Sequence, residues 1–158
     1  MAVRIGFGTD THRLVEGRPF WLGGIRISHP KGAAGHSDGD PLIHAICDAL
    51  LGAAGLRDIG TQFPDIDPAY KGIDSKTLLS RTVGMITEKG YTIVNIDSVI
   101  HLESPKIGPH IPDMIRTLAP ILRIQEDQLS VKAKTGEKLG FIGREEGVSA
   151  GAMVLLNS

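Results

Sequence analysis

Two hydrophobic periods alternate along this chain, and their order constrains the fold more than any other feature. Val3 to Leu14 opens with Val3, Ile5 and Phe7 alternating with Arg4 and glycines, the period of a strand. Phe20 to Ile27 reads as a hairpin whose Gly23-Gly24 pair turns between two apolar runs. A helix is predicted from Pro41, with Asp40 as N-cap and a broad apolar face of Leu42, Ile43, Ala45, Ile46, Ala49, Leu50 and Ala53. Ser75 to Lys89 reads as a second helix, capped by Ser75 and ended by Gly90. Tyr91 to Leu102 is a strand rich in β-branched residues, Ile111 to Arg123 a third helix, and Leu129 to Lys134 and Val148 to Leu156 two more strands. Lys31 to Asp40, Arg57 to Asp74 and Gly136 to Gly147 read as loops rich in Gly, Pro or Asp. The order β-β-α-α-β-α-β-β carries helices across between strands. The expected architecture is α+β, a mixed β-sheet with helices packed on one face, of the ferredoxin-like kind. No repeat or boundary interrupts the pattern, so residues 1–158 are expected to form a single domain.

Composition narrows the function. Glycine makes up 20 of the 158 residues while aromatics are 4%, so the core must rest on Leu, Ile, Val and Ala. The formal net charge is −1, which excludes the basic footprint of a nucleic-acid binder. The single cysteine, Cys47, excludes an intramolecular disulfide and a multi-cysteine zinc site, and its place in the helix makes it core. No apolar run reaches the ~20 residues of a membrane span. The N-terminus enters a strand directly, without a signal or transit peptide. The expected location is the bacterial cytoplasm, with a plastid protein whose transit peptide has been removed as the alternative.

Residues able to do chemistry cluster in five places. Asp10 and His12 lie two apart in a strand and face the same side, which suits two ligands of one metal. Asp40, His44 and Asp48 are spaced by four and form one stripe on the first helix. With Asp10 and His12, His44 would complete a His₂Asp set that leaves an open metal position, the pattern of catalytic zinc. Asp48 could then orient His44, with Asp40 remaining a cap. The loop Asp58 to Lys71 gathers aspartates without forming core and suits a substrate-binding loop. Ser104-Pro105-Lys106 follows a strand. Lys132 to Arg144 offers hydroxyl, amine, guanidinium and exposed backbone N–H groups for phosphate, and Glu137 as a hard oxygen ligand for Mg²⁺ or Mn²⁺. The familiar phosphate motifs are absent: Gly6-Phe7-Gly8 lacks a third glycine, because position 11 is Thr, and no P-loop occurs.

Taken together, Gly8-Thr9-Asp10-Thr11-His12, His36-Ser37-Asp38-Gly39-Asp40, Asp58-Ile59-Gly60, Phe63-Pro64-Asp65-Ile66-Asp67-Pro68, Lys71-Gly72-Ile73-Asp74-Ser75 and the 132–144 segment resemble the 2-C-methyl-D-erythritol 2,4-cyclodiphosphate synthase family of non-mevalonate isoprenoid biosynthesis. The resemblance runs from Ile5 to Leu156. It implies a CMP-releasing, cyclising phosphorus–oxygen lyase acting on 4-diphosphocytidyl-2-C-methyl-D-erythritol 2-phosphate. It implies zinc on Asp10, His12 and His44, and a Mg²⁺ or Mn²⁺ ion bridging the phosphates and touching Glu137. His36 and Thr135 match residues that stabilise the transition state. Substrate contacts are implied at Asp10, Thr11, His12, His36 and Ser37, and at Asp58, Ile59, Gly60, Phe63, Pro64, Asp65, Ile66 and Asp67 for the erythritol end. Leu102, Glu103, Ser104, Pro105, Lys106, Ile107 and Gly108 match the segment whose backbone reads cytosine. Lys134, Thr135, Gly136, Glu137, Phe141 and Arg144 match further substrate contacts. At position 134 many members carry threonine where this chain has lysine. The family implies a homotrimer with active sites between subunits, one supplying zinc and the other the cytidine pocket. Arg144 and Glu146 match positions near the threefold axis, where some members hold an isoprenoid diphosphate. Two other readings use the same residues: a metal-dependent nucleotide phosphodiesterase with water as nucleophile, and a non-catalytic metal-binding trimer.

Overall fold

The computed structural model describes residues 1–158. Its strands are β1 (Val3–Glu16), β2 (Phe20–Leu22), β3 (Ile25–Ile27), β4 (Lys31–Ala33), β5 (Thr92–His101), β6 (Leu129–Lys134) and β7 (Gly147–Asn157). Its helices are α1 (Pro41–Ala53), the single turn α2 (Ile59–Gln62), α3 (Ser75–Glu88), α4 (Ile111–Leu122) and the single turn α5 (Gly140–Gly143).

α1 is the centre of the molecule. Asp40 keeps an extended backbone, its carboxylate accepts from the Ile43 N–H, and Pro41 occupies the first turn. Every residue of α1 except Asp48 and Gly52 is buried, so the helix is wrapped rather than covered on one face. The sheet lies on one side, and α3 and the β2–β3 hairpin lie on others. Burial of Leu42, Ile43, Ile46 and Leu50 stabilises the fold by roughly 1.5–3 kcal/mol per side chain. Asp40 also accepts from Gly23 N–H at 3.0 Å and Gly24 N–H at 2.7 Å, which ties the hairpin turn to the start of α1.

The main sheet has the order β4-β1-β7-β5-β6. β1 and β7 run antiparallel from Val3 opposite Asn157 to Arg13 opposite Gly147. β5 is antiparallel to β7 and parallel to β6. The mixed sheet with helices on one face is as expected, but its topology is not ferredoxin-like. A ferredoxin-like chain runs β-α-β-β-α-β. Here α4 crosses between β5 and β6, which therefore lie parallel and adjacent, while β7 inserts between β1 and β5.

Three local expectations also change. Lys31–Ala33 pairs with Leu14–Glu16 as an edge strand inside the expected loop. Ser75 is the first residue of α3, and the cap is Asp74, whose carboxylate accepts from Lys76 N–H. The 57–74 and 136–147 segments are not plain loops, since each folds a helical turn.

The two faces of the sheet differ. Gly6, Gly8, Ile96, Ile100, Ala150, Ala152 and Val154 are turned to the core. On the opposite face Val3, Ile5, Phe7 and Met153 are 60%, 72%, 67% and 54% exposed. Phe7 stands opposite Met153 and Ile5 opposite Leu155, so these side chains form one continuous apolar stripe. No helix is long and apolar enough to cross a membrane.

Candidate metal centre and active site

Two glycines bring the strand and the helix of the site together. A Cβ at Gly6 would fall 1.9 Å from the Ala49 carbonyl oxygen, and one at Gly8 would fall 2.2 Å from that of Ala45. Only glycine lets β1 lie this close to α1. The next two inward positions on β1 are Asp10 and His12, which therefore meet His44 on α1.

The three side chains converge on one point. His12 Nε2 lies 2.6 Å from Asp10 Oδ2, His44 Nδ1 lies 3.0 Å from the same oxygen, and the two nitrogens are 3.3 Å apart. Surrounding hydrogen bonds fix both imidazole tautomers. His12 Nδ1 is 2.5 Å from the Ala34 carbonyl, which can only accept, so Nδ1 carries the hydrogen and Nε2 presents a lone pair. The Ser75 hydroxyl donates to the Asp38 carboxylate, so its oxygen is free to accept from His44 Nε2 at 2.9 Å. His44 Nδ1 then presents its lone pair as well. Two nitrogen lone pairs and a carboxylate oxygen face one another, an arrangement that demands a cation between them. A proton can serve one pair; a metal ion serves all three. This donor set could hold a metal ion, and the outer partners Ala34, Ser75 and Asp38 would orient it.

Without a metal, a proton held between Asp10 and a ring nitrogen takes the cation's place. Burial disfavours the Asp10 carboxylate, but hydrogen bonding through such a proton to His12 and His44 outweighs it and holds its pKa below the ordinary value. Burial likewise disfavours charge on His12, yet the hydrogen bond to Asp10 wins and raises its pKa. Asp48 does not orient His44. Its carboxylate accepts from Ile59 N–H at 2.8 Å and anchors α2, and partial burial raises its pKa. Ser37, at 3.0 Å, and Ser75 take the outer nitrogen of His44 instead. Asp40 is a cap, as expected. Cys47 is buried, with its thiol pushed up to about 12, chiefly by burial, and so is inert core.

The cluster opens into a cavity of about 240 Å³. Asp10, His12, His36, Ser37, His44, Ile59, Gly60, Phe63 and Asp65 line it, with Tyr70, Ile73 and Leu78, which were not among the expected site residues. His36 Nε2 is buried and has no hydrogen-bond partner. Asp58 caps α2, and its carboxylate accepts from the Thr61 hydroxyl and from Thr61 N–H, which together lower its pKa. Asp67 caps the short turn Pro68–Tyr70. Pro64 lies between the cavity residues Phe63 and Asp65, and Ile66 is 93% exposed. Thr11 faces the other side of the sheet and its hydroxyl donates to Ser149 at 3.0 Å.

A second recess is lined by Glu103, Lys106, Thr135, Glu137 and Lys138. The Glu103 carboxylate accepts from Gly136 N–H at 3.1 Å and from Lys138 N–H at 2.7 Å, so it braces the turn that carries Glu137. Thr135 Oγ1 accepts from Glu137 N–H at 3.3 Å. Leu102 and Ile107 are buried and hold the ends of the 102–108 segment, which leaves Ser104, Pro105 and Gly108 between and beside them. Lys134 ends β6, and its carbonyl accepts from Leu102 N–H at 2.9 Å. Phe141 and Arg144 sit at α5, with Arg144 Nε donating to Glu146 at 2.6 Å. Within one chain, then, His36 and the Asp–His–His cluster share one recess, while Thr135 and Glu137 line another.

Known proteins match this chain along nearly all of its length. The YgbB family model matches residues 3–157. A 2-C-methyl-D-erythritol 2,4-cyclodiphosphate synthase of Porphyromonas gingivalis is 61% identical over 97% of this chain and 94% of its own. That of Bacteroides fragilis is 59% identical over 99% of both. A solved 2C-methyl-D-erythritol-2,4-cyclodiphosphate synthase in a CDP-bound form superposes with a TM-score of 0.90 at 42% identity, covering 98% of this chain and all of that one. With this agreement from end to end, the chain belongs to the YgbB family.

Proposed function

We propose that the protein is a 2-C-methyl-D-erythritol 2,4-cyclodiphosphate synthase. It converts 4-diphosphocytidyl-2-C-methyl-D-erythritol 2-phosphate to the 2,4-cyclodiphosphate and CMP in isoprenoid biosynthesis. An oxygen of the 2-phosphate attacks the β-phosphorus. The bond from that phosphorus to the oxygen bridging it to the α-phosphorus breaks, and CMP leaves with that oxygen. The observation that carries the reading is the convergence of Asp10, His12 and His44, with the unpartnered His36 Nε2 in the same cavity.

The nucleophile is tethered within the substrate, so its effective concentration is high, and a phosphate needs no strong base to attack. The protein has to align the groups and balance their charge. Zn²⁺ on Asp10, His12 and His44, with Mg²⁺ or Mn²⁺ near Glu137, would supply that charge neutralisation. His36 offers Nε2 to a phosphoryl oxygen as charge builds there, and Thr135 does so from the other recess. Asp58 to Asp67 hold the erythritol end, and Leu102 to Gly108 read cytosine by backbone contacts. Residues 1–158 act as one domain in the bacterial cytoplasm.

The active unit is a homotrimer in which the recess of Thr135 and Glu137 meets the neighbour's metal centre. Two observations support this: the separation of the two recesses in one chain, and the bare apolar stripe of Val3, Ile5, Phe7 and Met153. An isoprenoid diphosphate near Arg144 and Glu146 fits the same assembly. Incubation with substrate, Zn²⁺ and Mg²⁺ should release CMP and cyclic product in equal amounts, without inorganic phosphate. A linear product would mean that water is the nucleophile, and an untouched substrate would reject the reading altogether.

A further inference from the structure

The five backbone carbonyls from Ala33 to Ser37 are all taken, and three of them go to one side chain. Arg18 Nε donates to Ala33 O at 2.6 Å, and its Nη2 donates to Gly35 O at 3.1 Å and to Ser37 O at 3.0 Å. The Ala34 carbonyl points the other way and receives His12 Nδ1. The His36 carbonyl accepts from Gly72 N–H at 2.8 Å. The segment is thus held with alternate carbonyls on opposite sides, odd positions on the guanidinium and position 34 on a metal-ligand histidine.

Packing enforces the contact. β4 passes so close to the chain at residue 18 that a Cβ on Gly32 would lie 2.3 Å from the Arg18 carbonyl oxygen. A planar fork with separated N–H groups can serve three carbonyls at once, which a lysine ammonium at the end of a flexible stem cannot.

From this geometry we infer that Arg18 is a positioning residue for the cyclisation: it sets the carbonyl that fixes the His12 tautomer and the backbone that aims His36 into the cavity. It touches neither substrate nor metal ligand, and acts through the 33–37 segment. The inference rests on the cyclase reading and extends it to a residue outside both recesses. Loss of such an outer partner costs roughly 10–100-fold in activity or metal affinity.

The test uses Arg18→Lys and Arg18→Ala in the zinc-loaded full-length protein. Arg18→Lys should lose roughly 10–100-fold in kcat with KM little changed and the thermal midpoint nearly native. Added guanidinium ion should restore part of the Arg18→Ala activity, and methylammonium should not. In metal-free protein at a pH above the raised His12 value, where the ring is neutral, the ¹⁵N imidazole signals of His12 should report Nδ1–H in the native chain and a mixture of tautomers in Arg18→Lys. Native kcat together with a native His12 signal in Arg18→Lys would overturn the inference. So would a loss of kcat that only tracks a loss of folded protein and is not rescued. If Arg18→Ala does not fold, Arg18→Lys alone decides. A native protein that releases no CMP would reject the cyclase reading, and the His12 signal would still test the clamp.

Discussion

His12 donates its Nδ1 hydrogen to the carbonyl of Ala34 across 2.5 Å, and that bond determines which ring nitrogen a metal meets. His44 is turned by the same logic through Ser75, so a strand histidine offers Nε2 and a helix histidine offers Nδ1 to one point.

Removing a ligand should empty the centre without dismantling the fold. His44→Ala is expected to lose zinc, measured by atomic absorption, while far-UV circular dichroism keeps the helical signal, because alanine favours the helix and α1 is buried on all sides. Zinc retained at one per chain would argue against the ligand assignment.

Metal binding should release protons in a pH-dependent way. Without metal, the raised pKa of His12 stabilises the fold fully below the ordinary 6.5 and loses that contribution as pH rises through the raised value. The lowered pKa of Asp10 stabilises it above the ordinary 3.8 and is lost as pH falls through the lowered value. The pair therefore supports the metal-free protein most between those two ordinary values. Zinc must displace the His12 proton, so zinc affinity should fall about tenfold per pH unit below the raised His12 value and level off above it. Calorimetry in buffers of different ionisation enthalpy measures this release, and a pH-independent proton count would contradict it.

Gly8→Ala should disturb the site through the backbone. The new Cβ would meet the Ala45 carbonyl oxygen at 2.2 Å, so β1 must move off α1. Denaturant titration should find a loss of about 1–3 kcal/mol, and zinc affinity should fall with it, since Asp10 and His12 ride on the displaced strand.

Glu103→Ala should free the turn that carries Glu137. Two backbone N–H groups lose a charged acceptor, each such bond being worth about 1.5–3 kcal/mol. Steady-state kinetics should give KM for the cytidine substrate raised at least tenfold, while zinc content stays native because the metal cluster lies in the other recess. Unchanged KM would mean that the 136–138 turn is held by other contacts.

The convergence of Asp10, His12 and His44 was legible because its signals are local. Asp10 and His12 follow from the two-residue period of a strand, and His44 from its place on a helix whose cap, Asp40, is plain in the sequence. Its outer partners were not legible. Ser75 and Arg18 reach His44 and the 33–37 segment across tertiary crossings that leave no periodic trace, and Asp48 was misassigned because spacing cannot tell which of two neighbours an aspartate faces. Alternation likewise gave the faces of β1 and β7 but not their adjacency. The insertion of β7 between β1 and β5 is a property of packing, and for that reason the ferredoxin-like expectation failed.

The bare stripe of Val3, Ile5, Phe7 and Met153 carries a consequence for how stability is measured. In the proposed homotrimer, neighbouring copies that cover this face would bind the folded chain and not the unfolded one, so by mass action they would shift the folding equilibrium. The melting temperature should climb with protein concentration, and dilution alone should act as a denaturant. A single free energy of unfolding would then have no meaning for this chain unless the concentration is quoted beside it.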